Sequence, residues 1–251
     1  MAASSETPAT LLIRSLESVA PLMPDEKAAL DALPWRVTQI KADQTIVREG
    51  DHPMRSCLIV SGFACAYNVT LRGKRQIMGF YIAGDLANLQ GLHLPVMDTG
   101  LSTITACTVA FIEHETLRAL CARHPGLAAA FWRETLVDAA IFREWVMNIG
   151  RREAYARLAH IFCEMTLRMR AVGLMEGDTC EFPINQSELA DAAGLTTVHV
   201  NRTLMQMRAD GLISLFGSQL TVPSFERLKE AGEFDPTYLH LHAQQAGAQI
   251  G

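Results

Sequence analysis

Residues 196–205 place hydrogen-bonding side chains at helical spacing, in the sequence TTVHVNRTLM. Residues four apart lie on one face of a helix. Arg can bridge the O6 and N7 atoms of guanine, Asn can bond adenine or phosphate, and small hydroxyls suit phosphate oxygens. This chemistry predicts a helix that reads base edges in the major groove of DNA. The residues expected to contact DNA are Thr196, Thr197, Val198, Asn201, Arg202 and Met205.

The residues just before this face predict the helix that must position it. Asn185 can accept hydrogen bonds from the free amides of a helix that follows it, and Glu188 completes a capping box. Gly194 can adopt the left-handed conformation that ends this helix, and Ala190 and Ala193 let a second helix approach closely. With Thr196 as the next cap, this is the layout of a helix-turn-helix.

The flanking segments complete a small helical domain. Val200, Leu204 and Met207 share the other face of the second helix, so we expect them to be buried. Two short runs around Gly217 predict a β-hairpin wing within residues 211–223. Residues 154–170 predict an amphipathic helix, in which His160 is expected to be a surface or hydrogen-bonded histidine rather than a metal ligand.

The N-terminal half has a different sequence pattern. Residues 11–33 predict short helices, and four β-rich runs follow at residues 36–47, 57–69, 76–82 and 102–112. Gly50, Gly62, Gly73 and Gly84 separate these runs, as expected for tight turns. An antiparallel sandwich or barrel fits this pattern best.

A long helix from Pro125 to Ile149, ended by Gly150, is predicted between the two halves. It carries two apolar stripes, which imply two packing partners. One partner is the β-domain and the other is the same helix of a second subunit; a fully buried core helix is the alternative. The residues expected at the dimer interface are Phe131, Ile141, Phe142, Trp145 and Ile149.

Composition limits the classes of function. A length of 251 residues suits two domains, and the net charge of -5 argues against a protein that coats nucleic acid nonspecifically. Residues 151–251 are slightly acidic as well, so DNA binding requires a local surface. No apolar stretch is long enough for a membrane span and the N-terminus lacks a secretory pattern, so we expect a cytoplasmic protein whose six scattered cysteines are free thiols.

The order of β-barrel, Gly84-Asp85-Leu86, the sequence ACTV at 106–109, long helix and winged helix resembles the superfamily of the cyclic-AMP receptor protein and the fumarate and nitrate reduction regulator. The resemblance covers roughly residues 10–230. It implies an α+β fold with a β-roll sensor domain in residues 1–124, a dimerisation helix in 125–150, a winged helix-turn-helix in 151–232 and a tail in 233–251. It also implies a transcription regulator, not an enzyme, that binds a palindromic promoter site as a homodimer and recruits RNA polymerase, which favours an activator.

Departures from the family pattern limit the effector. Nucleotide-binding relatives hold the cyclic phosphate with an Arg-Ser pair, whereas residues 94–100 contain no arginine and would present Asp98 to the phosphate. Phe142 and Arg143 stand where cyclic-AMP binders have small hydroxyl residues. No cysteine precedes Cys57, which argues against an iron-sulfur cluster near the N-terminus. We therefore expect no cofactor or metal, and an effector that is unidentified or absent.

Several alternatives remain open at this point. His93 is the best candidate for a haem ligand, and Cys180 for a redox switch if its pKa were lowered. A cupin-like enzyme would need a His-x-His metal motif, but the barrel contains only His52 and His93. His240-Leu-His242 lies beyond the wing, in an expected flexible tail. A small-ligand sensor that does not bind DNA is the remaining alternative.

The resemblance also predicts which base pair is read differently. Relatives commonly place Glu at the position of Val198 and Arg at that of Arg202, and the Glu accepts a hydrogen bond from cytosine in a TGA-containing half-site. Here the Arg is present and the Glu is replaced by valine. We expect Arg202 to read guanine and Val198 to offer only apolar contact, for instance to a thymine methyl group.

Overall fold

The computed structural model of the protein describes residues 6–242. It contains two compact units. Of the described residues, the first unit comprises residues 6–66, 80–138 and 241–242, and the second comprises Tyr67–Gly79 and Ala139–His240. None of the helices in the described residues is long and apolar enough to cross a membrane.

Two helices, α1 (Pro8–Val19) and α2 (Pro24–Asp31), begin the first unit. Each starts with a proline, whose fixed φ suits the first helical turn. The strands that follow are β1 (Arg36–Ile40), β2 (Thr45–Val47), β3 (Arg55–Ser61), β4 (Ala64–Val69), β5 (Arg75–Tyr81), β6 (Gly100–Thr103) and β7 (Cys107–Glu113). They form two sheets, with strand orders β1-β7-β3 and β2-β6-β4-β5. A 3-10 helix (Leu89–Leu92) separates β5 from β6, and helix α3 (His114–Arg123) follows β7.

Three of the four predicted β-runs are interrupted, because a chain that changes sheet must turn sharply. The run 36–47 breaks around Asp43, which has a φ of 57°, and its two halves join different sheets. The run 57–69 breaks at Gly62, where a Cβ atom would lie 2.5 Å from the carbonyl oxygen of Ala106. Residues 102–112 divide in the same way into β6 and β7. The prediction of an antiparallel β-domain is confirmed.

Two apolar clusters hold the first unit together. One fills the interior of the β-roll and includes Val47, Tyr81, Met97 and Phe111. The other joins the roll to the surrounding helices, and Phe131 belongs to it. Burial of such side chains is worth about 1.5–3 kcal/mol each, so these clusters are the main source of stability in this unit.

Helix α4 (Pro125–Arg151) corrects the predicted dimer interface. Phe131 and Trp145 are each only 3% exposed and Ile141 is also buried, so these side chains are already covered within one chain. Phe142 and Ile149 are half-buried. The sequence showed two apolar stripes but not which of them faces inward. The helix also continues through Gly150, because glycine is tolerated in a last helical turn.

The opposite stripe of α4 is the exposed one. Trp132 is 69% exposed, Leu136 56% and Val146 73%. With Ala139 and Arg143 between them, these positions repeat at intervals of four and three residues. Such spacing is typical of a seam between two helices. We call this set, Trp132, Leu136, Ala139, Arg143 and Val146, the α4 seam.

The second unit is built on helix α5 (Ala154–Ala171). Helices α6 (Gln186–Ala193), α7 (Thr197–Ala209) and α8 (Phe225–Ala231) follow, together with strands β8 (Met175–Glu176), β9 (Thr179–Glu181), β10 (Ser214–Phe216) and β11 (Gln219–Thr221). The predicted wing is the β10–β11 hairpin, with Gly217 at a φ of 59°. Hairpin β8–β9 was not predicted; β9 pairs with β11, which gives the sheet order β10-β11-β9-β8.

The segment after the wing is folded where a flexible tail was expected. Residues Pro236–Leu239 form a 3-10 helix, and Phe234 and Leu239 are buried. The ring of His160 is fully buried: its Nδ1 lies 3.2 Å from the carbonyl oxygen of Gly232 and its Nε2 lies 3.1 Å from the hydroxyl of Tyr238. His160 is thus a hydrogen-bonded histidine, as predicted, but not a surface one. The tail expected from residue 233 therefore starts too early, and residues 243–251 lie outside the described residues.

Candidate nucleic-acid interface

Helix α6 begins and ends as its sequence predicted. The side chain of Asn185 accepts hydrogen bonds from the amides of Ser187 and Glu188, at 2.8 and 3.0 Å. The carboxylate of Glu188 accepts one from the amide of Asn185 at 2.7 Å, which completes the capping box. Gly194 ends the helix in the left-handed conformation, with a φ of 64°. The turn that separates α6 from α7 is therefore fixed by local hydrogen bonds.

Helix α7 is oriented by one cap and one buried face. The hydroxyl of Thr196 accepts a hydrogen bond of 3.2 Å from the amide of His199, as predicted for an N-cap. Val200, Leu204 and Met207 are completely or almost completely buried, and this prediction is also confirmed. Ala190 and Ala193 of α6 are buried as well, so the two helices pack closely. This packing turns the other face of α7 to solvent.

All six residues expected to contact DNA share this exposed surface: Thr196, Thr197, Val198, Asn201, Arg202 and Met205. Val198 is 79% exposed and Met205 61%, which is unusual for apolar side chains of this size. The spacing of Val198, Arg202 and Met205 puts them along one line of the helix surface. The structure thus brings a guanidinium, an amide and two apolar groups together next to a helix N-terminus.

One further residue of this surface was not predicted from the sequence. The side-chain amide of Asn201 donates a hydrogen bond of 3.1 Å to Oε1 of Gln186, the first residue of α6. Gln186 therefore fixes the rotamer of Asn201 from the neighbouring helix. The pair lies 15 residues apart, and only the crossing of α6 and α7 creates it.

The electrostatics of this surface are local. No Asp or Glu occurs from residue 192 to residue 209, whereas Arg202 and Arg208 are both exposed on α7. Two acidic residues flank this stretch: the carboxylate of Asp191 lies 2.7 Å from Nε of Arg75, and that of Asp210 accepts a hydrogen bond of 2.6 Å from the hydroxyl of Tyr155. The positive N-terminal end of the α7 dipole adds to the field of the arginines. A chain with net negative charge therefore still presents a surface that attracts phosphate.

The β10–β11 wing contributes a second exposed element in the same unit. Phe216 is the last residue of β10 and its ring is almost fully exposed. Gly217 and Ser218 form the turn, and the carbonyl oxygen of Ser218 accepts a hydrogen bond of 2.6 Å from the amide of Phe182. The wing is therefore anchored at its turn to the strand segment that leads into α6.

The positions discussed above for effector binding or redox sensing lie in different environments. Met97, beside the position where relatives hold a cyclic phosphate, is buried in the apolar interior of the roll. His93 is exposed at the end of the 3-10 helix Leu89–Leu92. Burial raises the pKa of Cys180 to about 11, so this thiol is protonated at neutral pH and is a poor redox switch.

Metal-binding groups are also scattered. Within residues 6–242, no three His, Cys, Asp or Glu side chains come together in an arrangement that could hold a metal ion. His52 is exposed at the start of the segment before β3, and His240 caps the second 3-10 helix. The six cysteines are free thiols, as predicted.

Comparison with known families agrees with this architecture. Residues 156–231 match the Crp-like helix-turn-helix domain, and residues 37–124 match the cyclic nucleotide-binding domain. The first match contains the whole of α6, α7 and the wing, and the second contains the β-roll.

Individual relatives span most of the chain. The transcriptional activator protein FnrL of Cereibacter sphaeroides is 26% identical over 214 residues, which cover 83% of this chain and 85% of that protein. The fumarate and nitrate reduction regulatory protein of Escherichia coli K12 is 24% identical over 80% of each chain. The structure of FixK2 from Bradyrhizobium japonicum has a TM-score of 0.72 at 23% identity, covering 79% of this chain and 98% of that one, and supports the fold alone.

These relatives are transcription regulators and not enzymes, which excludes the cupin-like alternative. The helix-turn-helix match likewise excludes a sensor that lacks a DNA-binding domain. The fold is the predicted one: a β-roll of the cyclic nucleotide-binding type, a long helix and a winged helix-turn-helix. On this combination of domains and relatives, the chain belongs to the Crp-Fnr family of transcription regulators.

Proposed function

We propose that the chain works as a homodimer on a palindromic promoter site, with α7 of each copy in the major groove of DNA. The observation that carries this proposal is the exposed face of α7, on which Asn201 and Arg202 follow the capped N-terminus. Arg202 reads guanine through its two parallel donors, and the free amides at the start of α7 hold a phosphate. Asn201, held by Gln186, contacts the next base or the backbone.

The α4 seam supports the dimer. Its side chains Trp132, Leu136 and Val146 are large, apolar and exposed, which a monomer would leave in contact with water. The four-and-three spacing lets two copies of α4 pack along their length. A two-fold symmetric dimer carries two copies of α7, and this symmetry is mirrored by a palindrome in the DNA.

We further propose that the regulator responds to a signal other than cyclic AMP and recruits RNA polymerase. The relative FnrL is described as a transcriptional activator, which supports activation here. Met97 is buried in the roll interior, and residues 94–100 around it contain no arginine that could pair with a cyclic phosphate. Calorimetric titration with cyclic AMP should show no binding at micromolar concentration, and binding that enhances affinity for the promoter would contradict this part of the proposal.

In vitro selection of bound DNA sequences tests the proposal as a whole. The wild-type protein should select an inverted repeat whose half-site centres lie about 10 base pairs apart, with two protomers per site. Arg202→Ala should lose about 1–3 kcal/mol of preference at one guanine in each half-site. Arg208→Ala is the matched control, because Arg208 lies in the last turn of α7 and should affect all sequences alike. Selection of an unrepeated motif by a monomer would contradict the proposal.

A further inference from the structure

A groove in the first unit lies outside the β-roll interior. It has a volume of about 570 Å³, which is within the range of pockets that hold small molecules. The 3-10 helix Leu89–Leu92, helix α3 and the first half of α4 contribute its walls. We call it the α4 groove. The proposed DNA-binding surface does not include it.

The α4 groove is apolar along most of its length and cationic at one side. Leu89, Leu92 and Phe131 line its floor and are themselves buried, and Trp132 forms an exposed wall. The polar part comes from Arg118, His93 and Thr135, and among residues 6–242 no Asp or Glu lines the groove. Apolar surface recessed below a cationic edge suits a molecule with both characters.

Arg118 is held in position for this role. Its Nη2 atom donates a hydrogen bond of 2.7 Å to the carbonyl oxygen of Leu92, which fixes the guanidinium at the groove. An arginine has five N–H donors, so this bond leaves others for an anionic group. Burial and the nearby charge of Arg118 lower the pKa of His114, whereas Glu113 opposes this shift and His93 adds to it. Arg118 therefore places a fixed positive charge at this end of the groove.

We propose that the α4 groove binds a small amphiphilic anion, a molecule with an apolar body and one carboxylate or sulfonate group. The apolar body lies between the floor residues and Trp132, and the anionic group pairs with Arg118 and faces His93. Charge complementarity and the recessed floor favour this occupant over a second copy of the chain.

Trp132 connects this site to regulation. Its ring lines the α4 groove and is also the first large residue of the α4 seam. An occupant of the groove therefore touches the helix that we propose to form the dimer, and it can shift the dimer equilibrium only if it binds the two states with different affinity. This regulatory step rests on the proposed function, whereas binding in the groove does not.

Calorimetry on the full chain tests the site with decanoate as the probe, below its micelle concentration, and with 1-anilinonaphthalene-8-sulfonate as a second anion. At least one of the two should bind at one molecule per chain. Decyltrimethylammonium, which has an equal tail and the opposite charge, should bind at least tenfold more weakly. Binding should quench the fluorescence of Trp132. This quenching should disappear in Trp132→Phe, because the other two tryptophans do not line the groove.

Two variants locate the binding in the groove. Arg118→Gln should weaken binding of the anion about tenfold or more, as expected for a charge-assisted hydrogen bond. Arg123→Gln removes an equal charge from the last turn of α3 outside the groove, and it should leave binding unchanged. Ala128→Trp fills the groove and should abolish binding while thermal unfolding shows an intact fold.

The outcomes separate this proposal from the proposed function. If neither anion binds at millimolar concentration, if the cation binds equally well, or if Arg118→Gln and Ala128→Trp have no effect, the proposal is overturned. The proposal is also overturned if these variants lower the dimer fraction without ligand, because a second copy then occupies the groove. If the chain binds the anion normally but fails to bind DNA, the site in the groove stands and the proposed function is rejected.

Discussion

The indole nitrogen of Trp145 in α4 donates a hydrogen bond of 3.0 Å to Oε2 of Glu164 in α5, and both side chains are buried. The hydroxyl of Tyr238 donates to the same oxygen at 2.8 Å. Arg168 lies 3.5 Å from the other carboxylate oxygen. Burial raises the pKa of Glu164, and these donors oppose that shift. Trp145 therefore satisfies a buried carboxylate within its own chain.

Replacing Trp145 by phenylalanine should lower stability but not dimerisation. The change leaves Glu164 short of one donor, and an unmade buried hydrogen bond of this kind costs about 1–3 kcal/mol. Chemical denaturation should show this loss, whereas sedimentation should show the wild-type dimer fraction. If the Trp145→Phe variant were monomeric and had wild-type stability, Trp145 would instead belong to the dimer interface.

Replacing Leu136 by aspartate should lower dimerisation but not the stability of the folded chain. Leu136 is exposed on the α4 seam, so the folded monomer loses little, but a dimer would bury the new charge without a partner. The monomer fraction in sedimentation should rise and DNA affinity should fall. Leu71→Asp is the matched control, because Leu71 is a fully exposed leucine outside α4. Equal behaviour of the two variants would show that the seam does not mediate dimerisation.

The buried ring of His160 should make the protein sensitive to acid. Burial lowers the pKa of His160 from 6.5 to about 4, with a contribution from the charge of Arg152. Between these two pH values the unfolded chain binds a proton that the folded chain does not, so stability is lost as pH falls from 6.5 towards 4. The loss should amount to roughly 3 kcal/mol at most.

His160→Gln removes this proton-binding difference. Its free energy of unfolding should therefore fall less than that of the wild type over the same pH range, and the effect is read from the difference between the two proteins. Glu164 titrates in both proteins, and its raised pKa acts in the opposite direction. Parallel pH profiles would mean that His160 binds its proton equally well in the folded and unfolded states.

Replacing Val198 by glutamate should move DNA preference towards the half-site that the family commonly reads. A carboxylate at this exposed position can accept a hydrogen bond from cytosine, whereas valine offers only apolar contact. In vitro selection should show a change at one base pair in each half-site, with the guanine opposite Arg202 retained. If the wild type already selects the common half-site and the variant matches it, Val198 does not face the bases.

The DNA-binding elements could be predicted from the sequence alone, because their signals are local. The caps of Asn185 and Thr196 and the left-handed turn of Gly194 involve hydrogen bonds or dihedral angles within a few residues. The buried face of α7 follows from helical periodicity alone. The family resemblance also predicted the order of the domains, because each domain has its own local sequence pattern.

The apolar stripe of α4 that faces inward could not be predicted from the sequence and is seen in the folded chain. Both stripes have helical spacing, and the choice depends on partners such as Glu164, which is 19 residues from Trp145. The bond between Gln186 and Asn201 and the contact of Tyr238 with His160, which lies 78 residues away, are likewise created by helix crossing. Periodicity shows that a face is apolar, but the packing partner that covers it is a long-range property of the fold.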